Sequence, residues 1–239
     1  MPITPTSIAI LSDNYAWLLR DDTGATAMVD PAETAPCLAA IEAAGGRLDM
    51  ILITHHHDDH IAAVDAVRAK YPCTVVGAAA DQYRLPHLDR AVKPGDTVML
   101  GDTALTVIDT PGHTLGHIAY HGGGILMSGD TLFSLGCGRL MEGTPADMFA
   151  SLQKFAALPA DTIVCCGHEY TAANARFAIH ADPDNAALQA RAAEVTRQRS
   201  AHQPTVPTLL SAELAENPFL RAPDVAALAS LRAAKDIFK

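Results

Sequence analysis

One short stretch of the chain, Thr54-His55-His56-His57-Asp58-Asp59-His60, crowds metal-ligand side chains directly after the apolar run from Met50 to Ile53. Alternate side chains of extended backbone share a side, so His55 and His57 project together. A turn into a helix at Ile61 would bring Asp59 and His60 onto a neighbouring position. His56 and Asp58 then point away, into packing or supporting roles that still tune such a site. Three more clusters follow apolar runs: Pro111-Gly112-His113-Thr114-Leu115-Gly116-His117, Ser128-Gly129-Asp130-Thr131 and Gly167-His168-Glu169-Tyr170. Any one alone reads as a turn or a satisfied buried polar group, but four in one chain are hard to explain that way. Imidazole with carboxylate suits zinc first, and iron or manganese as well. No cysteine stands at these positions, which disfavours a structural thiolate zinc site and predicts an open, catalytic one. His117 reads as a further supporting residue, while His87, His121, His180 and His202 have no partner pattern.

Such a donor set suits hydrolysis. Two divalent cations about 3.5–4 Å apart can share a water, bring its pKa near neutrality and hold it as a bridging hydroxide. The same ions polarise a carbonyl and absorb the charge of a tetrahedral intermediate, so no serine, cysteine or lysine nucleophile is needed. No Gly-x-Ser-x-Gly elbow is present. A thioester fits well, because its thiol, with a pKa of ~8.5, leaves without a strong general acid. A lactone, a β-lactam or a phosphoester would also be attacked, so at this point the substrate stays open.

The elements that must position these loops alternate between short β-type runs and helical patterns. Strand-like runs lie at Ser7–Leu11, Ala16–Leu19, Thr26–Val29, Met50–Ile53, Thr74–Val76, Thr97–Leu100, Leu105–Ile108, Ile125–Met127 and Thr162–Cys165. Ala, Leu and Val recur at helical spacing over Ala35–Ala44, Ile61–Lys70 and Ala146–Ala157. Strands mixed with helices predict sheets covered by helices. After Tyr170 the texture becomes Ala- and Arg-rich, with helices expected at Thr171–Ile179, Ala186–Arg199 and Val225–Lys235 and a break at Pro204 and Pro207. The expected division is therefore a catalytic domain over residues 1–170 and an α-helical recognition domain over 171–239.

Bulk properties narrow the partners. The 239 residues, 49% hydrophobic, suffice for a real core, and a net charge of −10 with a pI near 5.4 argues against a nucleic-acid partner. Residues 1–170 hold nine basic against 20 acidic side chains, and residues 171–239 eight against seven. Five cysteines form no CxxC pair and no secreted-type framework, so reduced buried thiols are expected. The start of the chain has no basic segment before its apolar stretch, and no run is long enough to span a membrane. A cytoplasmic monomer with no membrane partner is the expectation.

The string THxHxDH followed by GHTxGH, GD and a late GH resembles the metallo-β-lactamase superfamily. That resemblance implies an α/β fold, an αββα sandwich, here with a small C-terminal α-helical domain. It implies two divalent metal ions: one on His55, His57 and His113, the other on Asp59, His60 and His168, with Asp130 bridging. Asp59 and Asp130 would thus serve catalysis directly. Within the superfamily the chain is similar to the glyoxalase II (hydroxyacylglutathione hydrolase) family over nearly its whole length. Asp13-Asn14-Tyr15, the THHHDDH string, Gly129 to Phe133, Gly136 to Arg139, Gly167 to Thr171 with Asn174, Asn217 to Arg221, and Lys235-Asp236 carry the likeness. It implies cleavage of S-D-lactoylglutathione to D-lactate and glutathione, a step of methylglyoxal detoxification, with the tripeptide held by Arg139, Tyr170, Asn174 and Arg221. Glutathione carries two carboxylates, and arginine offers them a fork of donors.

Two other readings share the superfamily's ligands. A persulfide dioxygenase uses a single iron, but that family usually has other residues where His117 and the Gly167-His168-Glu169-Tyr170 string stand here. A metal sensor or buffer would need neither open coordination nor a peptide pocket. The chain also departs from the family pattern. Met141 stands where a tyrosine is common, and no second basic group follows Arg221, so weaker glutathione binding is expected unless Lys235 or Lys239 compensates.

Overall fold

The first apolar runs form a six-stranded sheet in the computed structural model, which describes residues 2–238. Its strands lie in chain order: β1 (Ile3–Ile10), β2 (Asn14–Asp21), β3 (Thr26–Val29), β4 (Met50–Leu52), β5 (Thr74–Ala78) and β6 (Arg90–Val92). β1 to β3 pair antiparallel and β3 to β6 pair parallel. Parallel neighbours need crossovers. Here they are α1 (Thr34–Ala43) and, between β4 and β5, the short α2 (Asp58–Ile61) with α3 (Val64–Lys70). One face of the sheet, including Leu18, Met28, Ile51 and Val75, packs on Cys37 and Ile41 of α1 and Val64 and Val67 of α3. β3 is buried along its whole length, as a strand covered on both faces must be.

A second, antiparallel run follows: β7 (Thr97–Leu100), β8 (Thr103–Asp109), β9 (Ile118–Gly122) and β10 (Ile125–Gly129). β7 and β8 alternate buried and exposed residues, so one of their faces meets solvent. Tyr120 on β9 is fully buried and its hydroxyl donates to the Ile53 carbonyl at 3.0 Å, which ties this sheet to the first. These elements, up to Asp109 and over Gly116–Gly129, form one compact unit.

Thr110–Leu115 and the chain from Asp130 onward form the other. It holds the hairpin β11 (Leu132–Phe133) and β12 (Gly136–Cys137), α4 (Pro145–Ala156), β13 (Ile163–Cys166), α5 (Thr171–Ala181), α6 (Ala186–Ser200), β14 (Thr208–Leu209), α7 (Leu210–Glu216) and α8 (Val225–Ile237). Thr144 and Asp147 close a capping box at α4 with Pro145 at its first position, and Asn185 and Asp224 cap α6 and α8. Ala175 and Ala178 of α5 pack with Leu188 and Ala192 of α6 and with Leu135.

The α/β fold with two sheets and a C-terminal helical region is as expected. The expected helix over Ile61–Lys70 is instead two helices, the first starting at Asp58, because Ala62 and Ala63 form a turn between them. β6, β9, β11, β12, β14 and α7 are elements of two to seven residues, too short to show a period. The second unit reaches back before residue 170, to Asp130 and to the His113 loop. Among the described residues no helix is long and apolar enough to cross a membrane, and all five cysteines are free.

Candidate active site

In the first unit, the His55–His60 segment leaves the C-terminal end of β4, where open parallel sheets place their ligands. Its order comes from a residue the motif does not contain. Asp30, just past β3, is 3% exposed and sits at φ 50°. Its carboxylate accepts the Thr54 amide at 2.8 Å and the Thr54 hydroxyl at 2.7 Å, and it meets His60 Nδ1 at 3.0 Å. The Thr54 hydroxyl proton is committed to Asp30, so at 3.0 Å from His55 Nδ1 that oxygen must accept. Both contacts place the imidazole proton on Nδ1 and leave Nε2 of His55 and of His60 with a bare lone pair, the form a metal needs. Asp30, His55 and His60 offer ligand atoms within 4.8 Å of one another.

His55 Nε2 then faces His57 Nδ1 at 3.1 Å. Two imidazole nitrogens at that spacing match the edge, ~3.3 Å, of a tetrahedron with metal–nitrogen arms of about 2.0–2.1 Å. His60 Nε2 lies 3.8 Å from Asp59 Oδ2, and Asn14 Nδ2 holds that carboxylate at 2.9 Å. His56 turns aside onto buried Asp81 at 2.9 Å, which Arg84 also binds. His117, 1% exposed, stacks on His55 with centroids 4.8 Å apart. Gly129 makes room here: a Cβ at its φ of 48° would lie 2.6 Å from Thr54 Oγ1 and 2.7 Å from His117 Nε2.

In the second unit one carboxylate oxygen serves two imidazoles. Asp130 Oδ2 is 3.2 Å from His168 Nε2 and 3.6 Å from His113 Nε2. His113 Nδ1 donates to the Arg139 carbonyl at 2.8 Å, so its Nε2 is again the bare nitrogen. The ring of Tyr170 stacks on that of His168 at 4.5 Å and 9°, and Phe133 abuts both edge-on.

His113 and Asp130 stand at the wall of a cavity of about 470 Å³ within this unit, a size suited to a small ligand. Of the residues expected to hold substrate, Arg139, Tyr170 and Asn174 line it; Arg221 does not, and its guanidinium is engaged with Asp182. Arg232 and Lys235 of α8 line it instead, as do Phe133 and Met141. Arg232 donates to the Cys137 carbonyl at 2.8 Å, and Lys235 Nζ to the Ala173 carbonyl at 2.9 Å. Burial, together with the charges of Arg232, Arg176 and Arg139, pushes the Lys235 ammonium down to about 8. Burial pushes the Cys137 thiol up to about 11, so it supplies no thiolate at neutral pH. Lys239 lies outside the described residues.

Asp30, Asp81 and Arg232 are the site residues that the sequence reading did not single out, whereas Asn14 lies in a string that carried the family likeness and Lys235 was named as a compensating cation. A signal existed for Asp30, an acid at the end of a strand next to Pro31, and for the Arg232 and Lys235 pair, three apart on one helix face.

Residues 10–168 match the model of the metallo-beta-lactamase superfamily, and residues 169–238 that of the hydroxyacylglutathione hydrolase C-terminus. The hydroxyacylglutathione hydrolase of Acidiphilium cryptum is 57% identical over 98% of this chain and 97% of its own length. That of Ruegeria pomeroyi is 53% identical over 94% and 89%. Among solved structures, ETHE1 from Myxococcus xanthus superposes with a TM-score of 0.72 at 22% identity, covering 100% of this chain and 93% of that one, a likeness of fold. The di-iron-bound form of TTHA1623 is 28% identical with a TM-score of 0.59, over 69% and 91% of the two chains.

Proposed function

Because the chain belongs to the hydroxyacylglutathione hydrolase family of the metallo-β-lactamase superfamily, we propose that it hydrolyses the thioester of S-2-hydroxyacylglutathiones such as S-D-lactoylglutathione. The observation that carries this reading is the cavity whose wall joins two expected metal ligands, His113 and Asp130, to the cations Arg139, Arg232 and Lys235. A substrate with a reactive carbonyl at one end and carboxylates at the other fits that polarity.

The donors fit two divalent ions: His55, His57 and His113 would hold one, Asp59, His60 and His168 the other, with Asp130 shared. The tautomers fixed through Asp30, Thr54 and the Arg139 carbonyl support this, since they leave bare nitrogens on His55, His60 and His113. When bound, such ions acidify a water to supply the nucleophile and polarise the carbonyl. Zinc suits the histidine-rich set, as do iron and manganese.

The protein's own groups do the rest. Arg139, Arg232 and Lys235 provide positive charge for the peptide carboxylates in an otherwise acidic molecule, taking the part first expected of Arg221. Tyr170 offers a hydroxyl beside the His168 ring, and Asn174 is held by the Ser134 carbonyl at 3.1 Å. Five free thiols suit a reducing cytoplasm.

The experiment is thiol release from S-D-lactoylglutathione, with and without a chelator. Chelator-sensitive release without oxygen uptake is expected. Oxygen uptake with a glutathione persulfide and no thioester cleavage would overturn the reading in favour of a dioxygenase.

A further inference from the structure

The C-terminal unit contains a buried acid that neither metal binding nor substrate charge calls for. Glu213 of α7 is 0% exposed. Its Oε2 accepts the Leu135 amide at 2.8 Å and Asn217 Nδ2 at 2.9 Å. Asn217, also fully buried, directs the same Nδ2 to the Phe133 carbonyl at 3.1 Å and the Gly136 carbonyl at 3.0 Å. Three of these contacts fall on the tight turn between β11 and β12, and the fourth joins Glu213 to Asn217.

That turn is demanding. Leu135 is a non-glycine residue at φ 57°, a conformation that persists only when its surroundings enforce it. A Cβ at Gly136 would lie 2.4 Å from Asn174 Nδ2, so any side chain there would displace Asn174. Asn174 in turn donates to the Ser134 carbonyl. At the head of the turn, Phe133 sets its ring edge-on to Tyr170, centroids 5.3 Å apart, and to His168 at 5.9 Å. At its foot, Cys137 lines the cavity and its carbonyl receives Arg232.

We propose that Glu213, acting with Asn217, is a positioning residue for the substrate cavity. It pins the 133–137 turn in its strained form, and through that turn it sets Phe133, Tyr170, Asn174 and Arg232 where the thiol peptide must lie. This rests on the hydrolase reading above but concerns residues that touch neither substrate nor metal. Burial pushes the Glu213 carboxyl above the ordinary glutamate range, against the opposing hydrogen bonds of Leu135, Asn217, Ser134 and Thr208. Glutamine keeps the shape of the side chain and an acceptor oxygen, so the amide can keep the Leu135 contact that alanine loses.

The test compares Glu213→Gln, Glu213→Ala and Phe133→Leu in the full chain. It reads the affinity for S-methylglutathione, which cannot be hydrolysed, alongside metal content and KM and kcat for S-D-lactoylglutathione. Glu213→Gln should bind like wild type. Folded Glu213→Ala should bind about ten- to a hundredfold more weakly, the cost of a small misplacement, with its metal content retained. Phe133→Leu, which leaves α7 intact, should also raise the dissociation constant. It keeps the test decisive if the alanine variant does not fold. Wild-type affinity in folded Glu213→Ala or in Phe133→Leu would overturn the proposal, as would loss of binding in Glu213→Gln equal to that in alanine. Wild-type protein that neither binds S-methylglutathione nor cleaves the thioester would instead refute the hydrolase reading itself.

Discussion

The first unit carries its expected ligands within six consecutive residues, His55 to His60, at the end of one strand, whereas the second draws His113, Asp130 and His168 from three separate loops. The supports differ in the same way. Asp30 reaches Thr54 and His60 from the adjacent strand β3, a neighbour by sheet register. In the second unit His113 takes its tautomer from a main-chain carbonyl at Arg139, and His168 is packed by Tyr170 and Phe133. The compact motif depends on side-chain acids, the dispersed one on loop backbone and aromatic rings. Substitution of side chains should therefore damage the first unit through tautomers and the second through charge and placement.

The largest effect should come from Asp130, whose Oδ2 faces two imidazoles. Asp130→Asn is expected to lose much of the bound metal and roughly a thousandfold in kcat, the several kcal/mol that metal-assisted charge stabilisation supplies. Elemental analysis beside kcat checks it. Two full equivalents of metal with normal turnover would break the idea of a shared carboxylate.

Asp30→Asn tests the first unit's logic with little change of shape. An amide NH2 facing His60 Nδ1 favours the other tautomer, which puts a proton on the nitrogen meant for metal. A ten- to hundredfold loss of metal affinity, typical of about one supporting hydrogen bond to a ligand, is expected without loss of fold. Competition with a chelator gives the affinity and circular dichroism the fold.

On the second unit's side, Lys235→Met and Arg232→Ala should each raise KM for S-D-lactoylglutathione about tenfold or more with kcat retained, as loss of uniform binding does, while Arg221→Ala leaves KM nearly unchanged. The pH sign follows from Lys235. Its folded pKa is depressed to about 8, so the cation that attracts a carboxylate is present below that pH and lost above it. Because kcat/KM reports the free enzyme, it should fall as pH rises through about 8, and Lys235→Met should lack that limb. An unchanged profile would remove Lys235 from substrate binding.

The smallest effect expected is that of Met141→Tyr. Met141 lines the cavity and is 63% exposed, so a phenol there meets substrate without displacing the core. KM should fall by the worth of one neutral hydrogen bond, about 0.5–1.5 kcal/mol, at nearly constant kcat. A fall in kcat at constant KM would place Met141 beside the chemistry instead.

How much was legible in the sequence follows the same contrast. The strands β1 to β5 and the His55–His60 string were readable because apolar runs and ligand types are local signals. Asp30 was not, because its role depends on β3 lying beside β4, a pairing no spacing encodes. The expected prominence of Arg221 came from its place after an Asn-Pro-Phe motif. In the structure Asn217 of that motif braces the β11–β12 turn and Phe219 stacks on Phe177, while the cations lining the cavity are Arg139 and, from α8, Arg232 and Lys235. β14, of two residues, exists because β13 pairs with it, and two residues carry no pattern of their own.

The carboxylate of Asp30 orders His60 directly and His55 through Thr54, Oδ2 reaching both, and these imidazoles are expected to serve different ions. Occupancy of either position therefore polarises the same carboxylate and pre-orders the ligand of the other, so the two equivalents should load cooperatively. Titration of metal-free protein should be steeper than for independent sites, and Thr54→Val, which cuts the relay to His55 alone, should split it into two separate steps.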